Sequence, residues 1–359
     1  MVISQPSAAA PPAAAATAPL LLCGYYGEHN LGDDALLEVL LAQLPARTPV
    51  LVTAHDQPLV QQRYGVATVS RRSLTAVLVA LTGCRALVLG GGSLLQDATS
   101  FNSLLYYAAL ITAARLQGKP VLLWGQGLGP LRRRRSRLLV RALLPLVTAV
   151  CWRDPASAQL AAALGRPGDH GADPVWASAP EPWQGRGQAI VVCWRPTPQL
   201  QGAAWGPWLE ALERLATEAD RPVLWLPFHR DQDTDLLAQL QAQGLISAGL
   251  GQRSRLLAAE TPQQAKAIFA KAALVLSMRL HGLILAAVSG APCAAVSYDP
   301  KVQAAAEALG CPCQSLDHPA NASELLASWR GHLDRPADQA RLALLRRQAL
   351  RHAALLDSL

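Results

Sequence analysis

The chain has 359 residues, more than one hydrophobic core usually holds, so we expect two domains. It is 51% apolar and 16% charged, which excludes an intrinsically disordered protein. Charges, prolines and glycines interrupt every apolar run before it reaches about 20 residues, which excludes a transmembrane helix. Because aromatic residues make up only 5%, we expect a core of mostly Ala, Leu and Val, and the net charge of +7 indicates an anionic partner.

Residues 1–18 form an Ala/Pro tract without a basic residue, which predicts a disordered tail and not a secretory signal. From Leu20 onward, short apolar runs alternate with helical patterns such as Asp34–Leu44. Continuous apolar runs are typical of strands buried on both faces, and their alternation with helices predicts parallel βαβ units. The nine predicted strands are Leu20–Cys23, Val50–Thr53, Ala86–Leu89, Val121–Trp124, Ala149–Trp152, Ile190–Trp194, Val223–Pro227, Leu274–Ser277 and Ala294–Ser297.

Prolines and glycines cluster between Ala177 and Gln188, which marks a linker. We therefore predict an α/β protein of two Rossmann-like domains facing a cleft. Asp154 and Thr261 each precede a proline and are predicted helix caps. The predicted boundaries are 19–180 for the first domain, 181–187 for the linker, 188–335 for the second domain, and 336–359 for a C-terminal helix that packs on the first domain.

The seven cysteines mostly lie in or beside predicted strands. An odd number in apolar runs is typical of reduced, buried thiols, which favours a cytoplasmic protein. Cys311 and Cys313 do not have the usual spacing of a zinc site. We therefore predict neither a metal site nor a cofactor.

Three glycine-rich segments follow strands of the first domain. Each one alone would be an ordinary βα turn, and none has the dinucleotide-binding spacing. Three in one half of the chain instead favour a floor of backbone N–H groups that faces a ligand. The segments are Gly24–Asp34, which contains Asn30-Leu31-Gly32-Asp33, then Gly90-Gly91-Gly92, then Gly125–Pro130, which contains Gly127.

Basic residues follow two consecutive predicted strands of the second domain. Arg279 and His281 come after one strand, and Lys301 comes after the next. If the strands are neighbours in a parallel sheet, these side chains share one crevice. Two cations beside an imidazole suit a small polyanion that needs a proton.

Simpler interpretations remain for several basic residues. An Arg-x-His segment is often a solvated loop, Arg153-Asp154 is also consistent with an ion pair beside a helix cap, and His229 is preferred as a cleft wall or cap. The run Arg132–Arg135 lacks the interleaved aromatics typical of nucleic-acid binding. It is either a solvated helix face or a contact with an anionic membrane.

Taken in order, Asn30–Asp33, the triple glycine, Gly125–Pro130, Arg153-Asp154 and Arg279-Leu280-His281-Gly282 resemble the polysaccharide pyruvyl transferase family, and within it the CsaB type. The resemblance covers about residues 20–330. It implies a glycosyltransferase-B-like fold and the transfer of pyruvate from phosphoenolpyruvate to a sugar as a cyclic ketal, with release of phosphate. It also implies a lipid-linked glycan precursor of the cell wall as acceptor.

The resemblance assigns Arg153, Arg279, Leu280 and His281 to the donor, and Lys301 by its matching loop. In this chemistry His281 is the general acid, while Asp33 is a base or acceptor-orienting group, with a helix cap as its simpler role. The remaining predicted substrate-binding residues are Asn30, Gly90, Gly91, Gly92 and Gly127.

Two other functions remain open from the sequence. A glycosyltransferase that uses a sugar nucleotide would need a carboxylate for the ribose, for which Asp299 and Glu307 are the candidates. A non-catalytic scaffold for wall assembly would contact the membrane through its arginine run. In every case we expect a cytoplasmic protein, with peripheral binding at the inner face of the membrane.

Overall fold

The computed structural model describes residues 18–98 and 100–359, so the predicted tail lies outside the described residues except for its last position. Contacts divide the chain into two units. The first comprises the residues up to Gly27, Gln43–His170 and Ala353–Leu359. The second comprises Glu28–Ala42 and Gly171–His352, so it includes the first helix, which the predicted boundaries place in the first domain.

The described residues form twelve strands and fifteen α-helices, numbered here in chain order. The strands are β1 Leu20–Tyr26, β2 Val50–Ala54, β3 Ala67–Ser70, β4 Ala86–Gly90, β5 Val121–Gln126, β6 Ala149–Trp152, β7 Ala189–Cys193, β8 Val223–Trp225, β9 Ser254–Leu256, β10 Ala272–Ser277, β11 Cys293–Ser297 and β12 Cys313–Ser315. The helices are α1 Leu31–Gln43, α2 Gln57–Tyr64, α3 Leu74–Thr82, α4 Phe101–Leu116, α5 Arg134–Leu143, α6 Pro155–Ala163, α7 Gly206–Glu218, α8 Arg230–Asp233, α9 Leu236–Ala242, α10 Ala248–Arg253, α11 Pro262–Phe269, α12 Leu280–Val288, α13 Pro300–Leu309, α14 Ala322–Arg330 and α15 Gln339–Leu350. Four 3₁₀ segments of the described residues are Leu144–Leu146, Pro174–Ala177, Gly202–Trp205 and Arg351–Ser358.

Each unit is built on one parallel six-stranded sheet, which confirms the predicted βαβ architecture. The order is β3-β2-β1-β4-β5-β6 in the first unit and β12-β11-β10-β7-β8-β9 in the second. Both orders are that of the Rossmann fold, in which the chain reverses direction along the sheet between two central strands. The reversal lies between β1 and β4 in the first sheet and between β7 and β10 in the second. Ligands of such sheets bind beyond the carboxyl ends of these strands.

All nine predicted strands are present in the sheets. The sequence analysis missed β3, β9 and β12, which have four, three and three residues. Each of the three lies at an edge of its sheet.

The two cores differ in composition. The first consists mainly of Leu, Val and Ala, as expected, whereas the second is built around tryptophans, which the aromatic count did not indicate. Trp194 packs against Trp205, Trp225 and Trp329, with ring centroids 5.6–6.5 Å apart. With Trp208, this core contains five tryptophans. Because each tryptophan buries a large apolar area, a small number of aromatic residues supplies much of the core.

The two predicted helix caps that precede prolines are present. Asp154 and Thr261 cap their helices by accepting the N–H groups of Ser157 and Gln264, as predicted. Helix α15 packs against the 3₁₀ turn Pro174–Ala177, which the predicted boundaries place in the first domain and the contacts place, with the helix, in the second unit.

All seven cysteines are unpaired thiols, five of them buried. No helix within the described ranges is both long enough and apolar enough to cross a bilayer.

Candidate functional site

The N-terminus of α1 is organised by Asn30. The Asn30 carbonyl accepts the N–H of Asp34 at 3.1 Å, and its Oδ1 accepts the N–H of Gly32 at 3.1 Å. Its Nδ2 donates to Asp33 Oδ2 at 2.5 Å. Asn30 therefore caps the helix, and the interpretation of Asp33 as the cap is wrong. The Asp33 carboxylate is instead held in place by the capping residue.

The same helix end is joined to the loop after β8 by backbone hydrogen bonds. The N–H of Leu31 donates to the Phe228 carbonyl, and the N–H of Arg230 donates to the His29 carbonyl, both at 3.0 Å. This short antiparallel contact sets Asn30 opposite His229. Two segments that are about 200 positions apart in sequence thus meet at one site of the second unit.

His281 follows β10 as the second residue of α12. Its Nε2 lies 3.4 Å from Asp173 Oδ2, and both side chains are largely buried. A Cβ atom added at Gly32 would lie 2.2 Å from His281 Nδ1, so any larger residue there would displace the imidazole ring. The glycine of the Asn30–Asp33 segment is therefore required for the position of His281.

Asp173 is the partner that the sequence analysis missed. It caps the 3₁₀ turn Pro174–Ala177 from the preceding position, where its Oδ1 accepts the N–H of Val175 at 3.0 Å. The cap fixes the carboxylate so that Oδ2 faces His281. The imidazole ring of His281 therefore lies between this carboxylate, on the Nε2 side, and Gly32, on the Nδ1 side.

Arg279 forms a buried ion pair that the sequence analysis did not predict. Its Nε donates to Asp233 Oδ2 at 3.0 Å, its Nη2 donates to the other oxygen, and Nη2 also contacts Gln232 Oε1 at 3.1 Å. The Asp233 side chain is fully buried and also accepts the N–H groups of Phe228 and His229. Arg279 is thus neutralised by a carboxylate, which corrects the expectation of two cations open to a ligand.

Lys301 lies on the turn after β11, the parallel neighbour of β10, as predicted. Its Nζ is 3.3 Å from Asp299 Oδ2, and 43% of its side chain is exposed. Asp299 caps α13 by accepting the N–H of Lys301. Leu280 is buried at the first position of α12. The structure therefore gives Lys301 a carboxylate partner on its own turn.

His229 is buried, and its Nδ1 has no hydrogen-bond partner among the described residues. It is the N-cap residue of α8, as the cap interpretation expects, and its carbonyl accepts the N–H of Asp233 at 2.9 Å, but its side chain makes no capping hydrogen bond. Burial lowers the pKa of His229, and the positive charge of Arg279 lowers it further. At neutral pH this side chain is therefore an uncharged imidazole beside the Arg279–Asp233 pair.

Arg153 lies within a compact cluster of the first unit. Its Nη2 donates to Ser93 Oγ at 3.1 Å, and its Nε is 3.3 Å from Asp154 Oδ2. A Cβ atom at Gly127 would lie 2.6 Å from Arg153 Nη2, so this glycine leaves room for the guanidinium group. The ion pair beside a helix cap is present, and Ser93 and Gly127 position the same side chain.

The glycine loops are bonded to one another. The N–H of Gly91 donates to the backbone carbonyl of Trp124 at 2.8 Å, and the N–H of Gly127 donates to the backbone carbonyl of Gly92 at 2.7 Å. The Gly90 carbonyl accepts the Tyr26 hydroxyl at 2.6 Å. Because these amides already have partners, the expected N–H floor is wrong for Gly91 and Gly127.

The arginine run lies at the start of α5, and its four residues are exposed. The Asp97 carboxylate anchors it by accepting the N–H groups of Arg132 and Arg133 at 2.8 and 2.9 Å. The Arg135 guanidinium stacks on Phe101, 4.0 Å from the ring centroid. Leu138, one turn along, is 67% exposed. This surface therefore combines several cations with an exposed apolar side chain.

A protein-family model matches most of the chain. Residues 30–300 match the family model described as polysaccharide pyruvyl transferase, which is more than half of the chain. A search of curated protein sequences gives no match.

Solved structures of low sequence identity share the fold. UDP-GlcNAc 2-epimerase from Methanocaldococcus jannaschii is 10% identical, with a TM-score of 0.62 over 95% of this chain and 99% of that one. MurG from Acinetobacter baumannii is 13% identical, with a TM-score of 0.54 over 95% and 100%. A UDP-glucosyltransferase from Polygonum tinctorium is 11% identical, with a TM-score of 0.58 over 98% and 99%. The predicted glycosyltransferase-B-like fold is confirmed.

Proposed function

Because the chain belongs to the polysaccharide pyruvyl transferase family, we propose that it transfers pyruvate from phosphoenolpyruvate to a glycan sugar as a cyclic ketal. Within the family we assign it to the CsaB type, on the motifs identified in its sequence. The acceptor that we propose is a lipid-linked precursor of a cell-wall glycan. No cofactor enters this reaction, since the donor itself carries the activated group.

The observation that supports this proposal best is the arrangement of Asp173, His281 and Gly32. Ketal formation starts with a proton on the methylene carbon of the donor, which requires a general acid. His281 lies at the carboxyl end of a central strand, has a carboxylate on Nε2 and directs Nδ1 toward the first turn of α1. Hydrogen bonds of catalytic groups often tighten only when the substrate binds, so the 3.4 Å separation is compatible with this role.

His281 and the two acceptor hydroxyls account for every proton that the reaction transfers. His281 gives its proton to the methylene carbon, which leaves an oxocarbenium-like centre at the adjacent carbon. A sugar hydroxyl adds there, phosphate leaves, and a second hydroxyl closes the ring. One hydroxyl proton restores His281, and the other leaves with phosphate. Asp33, held by Asn30, is the base or orienting group that we assign to the acceptor hydroxyls.

The donor anion needs positive groups. In the first unit we assign Arg153 to it, with Gly90, Gly91, Gly92 and Gly127 shaping the loops around this residue. In the second unit we assign Arg279, Leu280 and Lys301 to it. Since Asp233 neutralises Arg279, the donor at this position interacts with a polarised ion pair and not with an isolated cation. Such fixed groups stabilise charge that develops as phosphate departs.

The arginine run supports a lipid-linked acceptor. Arg132–Arg135 are exposed together with Leu138, which fits anionic headgroups and a shallow apolar contact. We therefore propose a cytoplasmic protein that binds peripherally at the inner face of the membrane.

Mass spectrometry of glycan acceptors incubated with phosphoenolpyruvate tests the reaction. We expect a pyruvate ketal to appear with one phosphate released per ketal. Replacing His281 by Gln keeps a hydrogen-bond donor but removes the acid, so turnover should fall roughly 10²–10⁴-fold with a smaller change in donor affinity.

The matched control is His318→Gln, at an exposed position outside the site, which should retain full turnover. Transfer from a nucleotide sugar without any use of phosphoenolpyruvate would contradict the proposal and favour a glycosyltransferase. Near-full turnover of His281→Gln would assign the acid to another residue.

A further inference from the structure

Arg195 is a half-buried cation without a carboxylate partner among the described residues. Its Nε donates to the Pro196 carbonyl at 3.2 Å, and its Nη1 donates to the Tyr298 hydroxyl at 3.2 Å. The guanidinium carbon lies 5.2 Å from the centroid of the Tyr298 ring. Tyr298 therefore fixes the plane of the guanidinium group without neutralising its charge.

The neighbouring cations differ from it in this respect. Arg279 is paired with the buried carboxylate of Asp233, and Lys301 is paired with Asp299. Arg279 follows β10, Lys301 follows β11, and Arg195 follows β7. Arg195 is the member of this set whose positive charge is not compensated by a nearby carboxylate.

Its position in the sheet is the one at which a ligand is expected. The second sheet reverses its strand order between β7 and β10. Arg195 follows the end of β7 at Cys193, while His281 follows the end of β10. The contact of Arg195 with Tyr298, which follows β11, crosses the end of β10. Ligands of Rossmann-like sheets bind in the crevice at this reversal.

The geometry of the guanidinium group leaves one edge available. Nη2 and the second hydrogen of Nη1 have no acceptor within the part of the chain that the structure describes. Two parallel N–H groups on one edge match two oxygens of a carboxylate or a phosphate. The positive charge of Arg195 also contributes to lowering the pKa of His229, after burial and Arg279, so the two side chains share one electrostatic environment.

From these observations we infer that Arg195 binds an oxyanion of the donor and that Tyr298 orients it for this contact. The inference rests on the proposed function for the identity of the donor. It deepens that function because it assigns donor binding in the second unit to a residue outside the Arg-Leu-His segment. A carboxylate and a phosphate share the chemistry that this edge recognises.

Equilibrium binding measured by calorimetry tests the inference, with phosphoenolpyruvate, inorganic phosphate and pyruvate as probes. Arg195→Gln should weaken phosphoenolpyruvate binding about 10- to 100-fold, the usual effect of losing a charge-assisted contact. Arg195→Lys should recover part of the affinity, which a purely structural role would not predict. Tyr298→Phe should weaken phosphoenolpyruvate binding only several-fold. The substitution removes the hydroxyl that accepts a hydrogen bond from Arg195 but keeps the ring beside the guanidinium group. Loss of phosphate binding in Arg195→Gln with pyruvate binding intact would assign the edge to phosphate, and the reverse would assign it to the carboxylate.

The matched control is Arg214→Gln, which removes an exposed arginine paired with Glu210 in α7. Wild-type affinity for phosphoenolpyruvate in Arg195→Gln would overturn the inference and leave the proposed function standing. If the wild-type protein binds phosphate through Arg195 but not phosphoenolpyruvate, the anion site stands and the proposed function is wrong. If it binds none of the three probes, both are wrong.

Discussion

Because Arg279 is paired with Asp233, a substitution at Arg279 affects the stability of the fold as well as ligand binding. Asp233 is fully buried, and its carboxylate interacts with the guanidinium group and with two backbone N–H groups of the loop after β8. Removing one partner of a buried pair leaves an uncompensated charge, which costs more than the pair contributes. Arg279 is therefore a structural residue as well as a candidate donor contact.

We expect Arg279→Ala to reduce the free energy of unfolding by about 3–5 kcal/mol, because the Asp233 carboxylate stays buried without its cation. Urea unfolding followed by tryptophan fluorescence measures this, since seven of the nine tryptophans lie in the second unit. The double variant Arg279→Ala/Asp233→Asn should recover part of the loss.

The exposed pair Arg330–Glu218 provides the control. Arg330→Ala should cost at most about 1 kcal/mol, the usual range for a surface ion pair. An equally small effect of Arg279→Ala would show that the Asp233 carboxylate is solvated in solution.

At the scale of single residues, the sequence identified the groups that lie directly after strands. His281, Arg279 and Lys301 could be placed in adjoining turns because parallel strands end at the same edge of a sheet. Asp173 could not be found in this way, since it lies in an irregular segment more than 100 positions earlier. Pairing between distant loops depends on the tertiary fold, and a single sequence carries no periodic signal for it.

At the scale of elements, the strands that the sequence failed to predict are those with the least burial. β3 and β12 contain no fully buried residue, and β9 contains one, whereas every residue of β4, β7, β10 and β11 is buried. Prediction by continuous apolar runs depends on burial of both faces. Short edge strands with polar residues lack this signal, so the pattern identifies the centre of a parallel sheet better than its edges.

Helix α5 supports a test of membrane binding. Replacing Arg132–Arg135 by Gln should weaken binding to anionic liposomes, since each basic residue near the surface contributes about 1 kcal/mol. The effect should be larger at low salt, because screening weakens surface electrostatics. Sedimentation with vesicles of anionic or neutral lipid measures it.

A charge-matched control replaces four arginines outside α5 by Gln, namely Arg214, Arg253, Arg330 and Arg347. Activity on a soluble acceptor should be retained by both variants. Equal loss of binding in the two would indicate a general effect of net charge, and unchanged binding in both would return the run to a solvated helix face.

At the scale of the whole molecule, two buried histidines predict weaker folding in mild acid. Burial lowers the pKa of His352 and of His229 below the ordinary value of 6.5. Between the lowered and the ordinary pKa, the unfolded chain binds more protons than the folded one, so acid favours unfolding. The two neutral histidines contribute fully to the free energy of unfolding above about pH 6.5, and this contribution is lost as the pH falls toward their lowered pKa values.

Urea midpoints at pH 7.5 and 5.5 measure this dependence. We expect a lower midpoint at pH 5.5 and a smaller difference between the two pH values in His352→Gln. His318→Gln, at an exposed position, should keep the wild-type difference. A pH difference that His352→Gln leaves unchanged would assign the acid sensitivity to other groups.

The distribution of the unpaired thiols gives the molecule a set of internal reporters of local opening. Three of them, Cys23, Cys84 and Cys151, lie in the first unit, and the other four lie in the second, all in or next to strands. Burial raises the pKa of Cys23 and Cys313 to about 11, and the thiolate is the form that reacts with alkylating reagents. Labelling of the five buried thiols in the native state therefore requires the structure around them to open, and peptide mass spectrometry identifies which thiol has become accessible. The native cysteines thus allow the opening free energies of both sheets to be mapped without engineering a single probe.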